Sequence, residues 1–187
     1  MFQILLKKAA RALRKQHIPY MIIGGQAVLL YGEPRLTKDI DITLGIGIDQ
    51  WKTIEKIAKS IQLRPLVTKI KEFVKDTLVF PAIDDQSGIR IDFIFSYSPY
   101  ERQAIERARG IYFGQTEVKF AALEDVVIHK VIAGRARDIE DVKTVLLKNP
   151  DYDTRYIKKW LAEFDRSLGK NFKEEFSRLE RDLKKRV

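Results

Sequence analysis

Asp39 and Asp41 stand at alternate positions in the stretch Arg35-Leu-Thr-Lys-Asp39-Ile-Asp41-Ile, just after an apolar run that closes on Gly24-Gly25. Successive residues of a strand point to opposite faces. On a strand here, Arg35, Thr37, Asp39 and Asp41 share one face, and Ile40 and Ile42 take the other. Two carboxylates roughly 6–7 Å apart along a strand repel each other unless a cation sits between them. A divalent cation that also binds the phosphates of a nucleotide meets that need. The simpler alternative is a solvated strand face. It leaves unexplained why an apolar strand carries two of the poorest strand formers at alternate positions, and why a glycine pair ends the strand before it.

A third carboxylate fits the pattern. In Ile89-Arg-Ile-Asp92-Phe-Ile-Phe95 the residues Ile89, Ile91, Phe93 and Phe95 form one apolar face, with Arg90, Asp92 and Ile94 on the other. An ionised Asp in such a segment is costly unless it is paired or binds a metal. Arg90 is the alternative partner, and simple exposure the third reading.

Further along, Leu123, Val126, Val127 and Ala133 fall on one stripe of a helix, and Lys130 lies in the middle of it. A lysine there either snorkels to solvent or meets an anion. Glu124, Asp125 and His129 lie off the stripe, so His129 is expected at the surface. Asp138 opens the next helical pattern, with Ile139, Val142, Val145 and Leu146 inward, and by itself it reads as an N-cap.

An apolar strand, Gly-Gly, a helix, Asp-x-Asp and a later strand bearing a third Asp resemble the nucleotidyltransferase superfamily related to DNA polymerase β. Gly24-Gly25-Gln-Ala27 through Pro34-Arg35-x-Thr37-x-Asp39-x-Asp41 is similar to its small prokaryotic abortive-infection (AbiEii-like) type, whose members are often toxins. So is His129-Lys130-Val-Ile-Ala133-Gly-Arg135-Ala-Arg137-Asp138-Ile-Glu-Asp141. The two blocks anchor residues 20 to 147. One departure is Gln26, where the commoner variant of the motif supplies a serine hydroxyl.

The resemblance implies a metal-dependent transfer of an NMP from an NTP to an acceptor hydroxyl. Asp39, Asp41 and Asp92 would hold two Mg2+ or Mn2+ ions. Gly24, Gly25, Arg35, Thr37 and Lys130 would bind the nucleotide. Lys130 and Asp138 would join the three carboxylates as catalytic residues, Asp138 by orienting Lys130 or by activating the acceptor. The acceptor it suggests is RNA at the tRNA 3′ end, with an antitoxin protein as a further partner. A small-molecule or protein acceptor, or a non-catalytic nucleotide- or RNA-binding module, are the other readings.

The 187 residues suffice for one substantial core, and no cysteine is present, which excludes disulfides and thiolate metal sites. With two histidines, any metal must be held by oxygen, which suits magnesium or manganese. The formal charge of +9 favours a polyanionic partner such as nucleic acid; solvated helix faces in a Lys/Glu-rich protein would also produce it. The densest basic patches are Lys7-Lys8 through Lys15, Arg135/Arg137, Lys158-Lys159 and Lys184-Lys185-Arg186. No run of 18 apolar residues and no signal-peptide layout occurs, so a cytoplasmic protein without a membrane span is expected.

The residues that do this chemistry must be positioned by a specific order of elements. Helix is expected over 2–16, 25–31, 49–60, 100–108, 122–134, 138–148, 153–165 and 170–185. Strands are expected over 20–23 and 38–44, near 66–70, near 77–83 and 89–95 across an Asp84–Gly88 turn, and as a pair near 111–120. The fold class is α/β (α+β): a nucleotidyltransferase fold with a mixed sheet flanked by helices. Residues 1–121 form the catalytic core and 122–187 a helical C-terminal part.

Overall fold

The computed structural model describes residues 1–96 and 98–185. The chain divides into two compact units. The first comprises Met1–Gln26 with Leu36–Ala121, and the second Ala27–Arg35 with Ala122–Val187. Arg186, expected in the last basic patch, lies outside the described residues.

The first unit is built on a mixed sheet. Its strands are β1 (Tyr20–Ile23), β2 (Asp39–Leu44), β3 (Arg64–Pro65), β4 (Val79–Asp84), β5 (Ile89–Phe95), β6 (Arg109–Phe113) and β7 (Thr116–Phe120). They lie in the order β3-β4-β5-β2-β1-β7-β6. The β2/β5 and β1/β7 pairs are parallel and the others antiparallel. Alternation set β5: Ile89, Ile91, Phe93 and Phe95 are buried, while Arg90, Asp92 and Ile94 are not. Phe80 on β4 meets Phe93 edge-on, with ring centroids 6.3 Å apart, and both rings are fully buried.

Helices cover this sheet because each has one apolar stripe. Helix α1 (Phe2–Lys15) buries Leu5, Leu6, Ala9, Ala10 and Leu13. It is tied to β7 where Arg11 donates to Thr116 Oγ1 and Arg14 to the Glu117 carbonyl. Helix α3 (Trp51–Ser60) buries Ile54, Ile57 and Ala58. Helix α5 (Pro99–Glu106) starts with Pro99 in its first turn behind an accepting Ser98 hydroxyl.

Between these elements the expected strand near 66–70 does not form. A two-residue strand at Arg64–Pro65 and helix α4 (Ile70–Thr77) replace it. Ile70, Phe73, Val74 and Thr77 have the i, i+3, i+4, i+7 spacing of a helix face, and this outweighs the β-branched residues before them.

Helix α2 (Gly24–Tyr31) leaves β1 and carries the chain from the first unit into the second. The second unit consists of the end of α2 with α6 (Leu123–Ala133), α7 (Ala136–Lys148), α8 (Thr154–Leu168) and α9 (Phe172–Lys184). Asn149 donates to the carbonyls of Tyr31 and Val145, and Lys148 to that of Gly32, which pins the end of α2 to α7. Asp153 caps α8 by accepting from the Arg155 and Tyr156 amides.

Helix α6 is not the one-sided helix expected from its stripe. Glu124 and Asp125 are buried as well, because Glu124 accepts from the Asp153 amide and Asp125 from the Tyr156 hydroxyl. His129 is half-buried rather than exposed. Burial, and then the charge of Lys130, push its imidazole down to about 4. Among the described residues, no helix is long and apolar enough to cross a membrane.

Candidate active site

The ladder between β2 and β5 brings the three predicted carboxylates together. Asp41 is the register partner of Asp92, and Asp39 that of Arg90. Register partners on neighbouring strands stand about 4.8 Å apart and project to the same side. Asp39, Asp41, Asp92 and Arg90 therefore share one patch of the sheet surface. On its other edge Asp41 pairs with Ile23, the last residue of β1. The chain leaving β1 consequently passes over Asp41 at Gly24.

This passage explains the first glycine. Gly24 has φ +65°, and a Cβ there would stand 2.0 Å from Asp41 Oδ2. A side chain there would push the Asp41 carboxylate aside, and glycine also suits the left-handed backbone. Gly25 is buried in the first turn of α2. Gln26, also buried, donates from its side-chain amide to Thr37 Oγ1 at 2.6 Å. The residue that departs from the expected motif thus holds the threonine predicted to meet the nucleotide.

Asp92 is not waiting without a cation. Arg90 donates from Nε to Asp92 Oδ1 at 2.7 Å, with the Asp92 side chain 15% exposed and that of Arg90 48%. The hydrogen bond to Asp92, and the charges of Asp92, Asp39 and Asp41, raise the Arg90 pKa above the ordinary arginine value. Arg90 is a site residue that the sequence reading treated only as an alternative partner. Its position two residues before Asp92 on the same face was the available signal.

The donor set of this face suits a hard divalent cation, being three carboxylates with no nitrogen or sulfur ligand. Among the described residues no group of three or more acidic or histidine side chains is already gathered as a coordination cluster. The side chains fit such an ion in chemistry and in the face they share, with Asp92 turned to Arg90.

Arg35 and Lys130 belong to the second unit. Arg35 does not extend the Asp39/Asp41 face, because β2 begins only at Asp39. Its guanidinium instead grips Asp141 through two hydrogen bonds of 2.9 Å. Lys130, buried as its stripe position implied, reaches Asp138 Oδ1 at 2.7 Å and Asp141 Oδ2 at 2.9 Å. Arg135 completes the row by donating to Asp138 Oδ2 at 2.6 Å.

Asp138 is not the N-cap of α7, which starts two residues earlier with Arg135 in that place. Burial would raise the Asp138 pKa. The hydrogen bonds from Arg135 and Lys130, with their charges, outweigh it and hold the carboxyl below the ordinary range. Asp141, the last residue of the second motif block, is the carboxylate that joins Lys130 to Arg35.

Comparison with solved structures places the fold. It is similar to ANT(2″)-Ia in complex with adenylyl-2″-tobramycin, with TM-score 0.59 and 16% identity over 89% of this chain and 99% of that one. It is similar to an antigenic nucleotidyltransferase-like protein from Paracoccidioides brasiliensis, with TM-score 0.56 and 16% identity over 95% and 91% of the two chains. The lincosamide antibiotic adenylyltransferase LnuA, lincomycin-bound, gives TM-score 0.50 and 14% identity over 77% and 92%. No curated protein sequence matches the chain. A family profile described as a nucleotidyltransferase of unknown function does match, over residues 2–184, and the chain therefore belongs to that DUF6036 nucleotidyltransferase family.

Proposed function

We propose that the protein transfers an NMP from an NTP to an acceptor hydroxyl, at the face formed by Asp39, Asp41 and Asp92. The observation that carries this reading is the Asp41–Asp92 register on neighbouring parallel strands, with Gly24 fitted against the Asp41 carboxylate. Mg2+ or Mn2+ held by the three carboxylates would offset the phosphate charge and lower the pKa of the acceptor hydroxyl. The amides at the start of α2, beginning with Gly24 and Gly25, point along the helix axis and suit a phosphate anion. Gln26 fixes the Thr37 hydroxyl for a polar contact with the nucleotide. The acceptor oxygen bonds to the α-phosphorus as the bridging P–O bond breaks and pyrophosphate leaves. The hydroxyl proton passes to a carboxylate, Asp92 in our reading. By the motif resemblance Lys130 and Arg35 would meet phosphate charge, and the 2.7 Å bond from Lys130 to Asp138 supports a positioning role for that carboxylate.

RNA, with the tRNA 3′ end foremost, is the acceptor class we favour, supported by the +9 charge and by the motif resemblance. That reading also carries the toxin role and an antitoxin partner. A small-molecule acceptor is the second reading, favoured by the fold shared with ANT(2″)-Ia and LnuA, whose structures hold antibiotics or their adenylyl products. The test is label transfer from each α-32P-labelled NTP, with magnesium or manganese, into total RNA, into the protein and into hydroxyl-bearing small molecules. Label in a tRNA-sized band, lost in Asp39→Asn and Asp41→Asn, supports the first reading. Label in the small molecules alone moves the acceptor to the second. Transfer unchanged in both variants would sink the carboxylate assignment.

A further inference from the structure

A groove of about 580 Å3 runs between α1 and α3, and none of the carboxylate-face residues lines it. Lys8, Arg11 and Lys15 line one wall and Lys56 the other, over an apolar floor that includes Ala12 and Ile57. The three α1 cations follow i, i+3 and i+7 spacing, which sets them in a row along one side of the helix. No Asp or Glu is among the lining residues.

The groove gathers four cations with no carboxylate among its lining residues. Arg35, Lys59, Arg64, Arg90, Lys119, Lys130 and Lys158 each meet a carboxylate. Among the described residues Lys8, Lys15 and Lys56 form no ion pair, and Arg11 spends its hydrogen bonds on a neutral hydroxyl, that of Thr116. Four like charges around one cleft raise the local potential and oppose folding by self-repulsion. A polyanion relieves both.

We infer that the α1–α3 groove docks the phosphodiester backbone of a nucleic acid. From Lys8 to Lys15 the helix advances about 10 Å. Over that length one strand of a duplex presents about three phosphates. Thr53 and Ser60 add hydroxyls between the cations. No aromatic residue lines the groove, so bases have no ring to stack on and recognition is independent of sequence. This inference deepens the RNA-acceptor reading and rests on it for the identity of the polyanion; the groove's anion preference stands on the charges alone.

The test is fluorescence anisotropy of a labelled 20-nucleotide single-stranded RNA with the full chain, titrated at several salt concentrations. The double variant Lys8→Gln/Lys56→Gln should weaken binding at least about tenfold at low salt. It should also lower the slope of log K against log salt by about 1.4, from about 0.7 per lost phosphate contact. The control Lys170→Gln/Lys173→Gln, with the same change in net charge on exposed side chains, should stay within about threefold of the parent. Circular dichroism confirms that each variant is folded. Equal weakening by both pairs, or none by the first, overturns the inference. So does a wild-type protein that prefers polyglutamate to RNA at this groove, which would make the partner an acidic protein. Label transfer to small molecules, lost in Asp39→Asn, keeps the nucleotidyltransferase reading standing whichever way the RNA titration falls.

Discussion

Gly24 and Asp41 touch across the β1/β2 ladder so closely that a Cβ on Gly24 would lie 2.0 Å from Asp41 Oδ2. Gly24→Ala therefore combines two costs. One is a left-handed φ, worth about 1–2 kcal/mol for an L-residue. The other is displacement of the carboxylate itself. Gly88 isolates the first cost, since it has φ +69° and nothing within 4 Å of its built Cβ. Gly88→Ala should lower the melting temperature and leave NMP transfer intact. Gly24→Ala should lower stability at least as much and cut transfer by about 100-fold or more. Equal activity in the two variants would show that the position of the Asp41 carboxylate is immaterial.

Arg90 supplies the positive charge on a face of three carboxylates, through its 2.7 Å bond to Asp92. A divalent cation taking Asp92 must compete with it. The pair is half exposed at the arginine end, so breaking it is cheap. Arg90→Gln should tighten Mn2+ binding by roughly tenfold, about 1.4 kcal/mol, as read by calorimetry or by loss of the free-ion EPR signal. Without metal the same variant should melt lower, because three carboxylates then face one another. Weaker Mn2+ binding would mean instead that Arg90 holds Asp92 in its binding pose.

Much of this face was legible in the sequence, for a physical reason. Strand alternation is a local property, so Asp39, Asp41 and Asp92 could be assigned to faces before any pairing was known. What escaped depended on distant partners. Arg35 reads as an extension of the Asp39 face, yet Asp141, over a hundred residues away, claims it. His129 reads as exposed because it lies off the apolar stripe, and Glu124 and Asp125 lie off it too, so nothing local signals their burial. Tyr156 and the Asp153 amide, far along the chain, make burial of the two carboxylates affordable. The missed helix α4 failed for the opposite reason. It is short, and Leu66-Val-Thr just before it carry a strong local β preference.

Lys130, Arg35 and Arg135 share the carboxylates Asp138 and Asp141, which makes the order of stability losses in this row predictable. Lys130→Met removes one cation and leaves each carboxylate with its own arginine. Asp141→Asn leaves three cations around a single carboxylate and strips Arg35 of its bidentate partner. The second change should cost more, about 3–5 kcal/mol for breaking a buried pair, and the first less than half of that. Urea denaturation midpoints at neutral pH decide it. A larger loss in Lys130→Met would show that the lysine, rather than the balance of charge, holds these helices together.

His129 and Glu180 should make acid unfolding proceed through two adjoining windows. The folded His129 has its pKa depressed to about 4 from the ordinary 6.5. As pH falls through that interval the unfolded chain takes a proton that the folded chain refuses, so stability declines with falling pH. Glu180 is buried between α8 and α9. Burial would raise its pKa, but bonds from Lys158, Thr154 and Tyr152 bring it down to about 2 from 4.5. Its stabilising effect is fully present above about pH 4.5 and is lost as pH falls toward 2, a swing of roughly 3 kcal/mol at most. Urea midpoints from pH 7.5 to 2.5 should therefore fall in both intervals. His129→Gln should flatten only the upper one and Glu180→Gln only the lower. If His129→Gln leaves the slope between pH 6.5 and 4 unchanged, the imidazole is already able to take its proton in the folded chain, and its burial does not control the acid response.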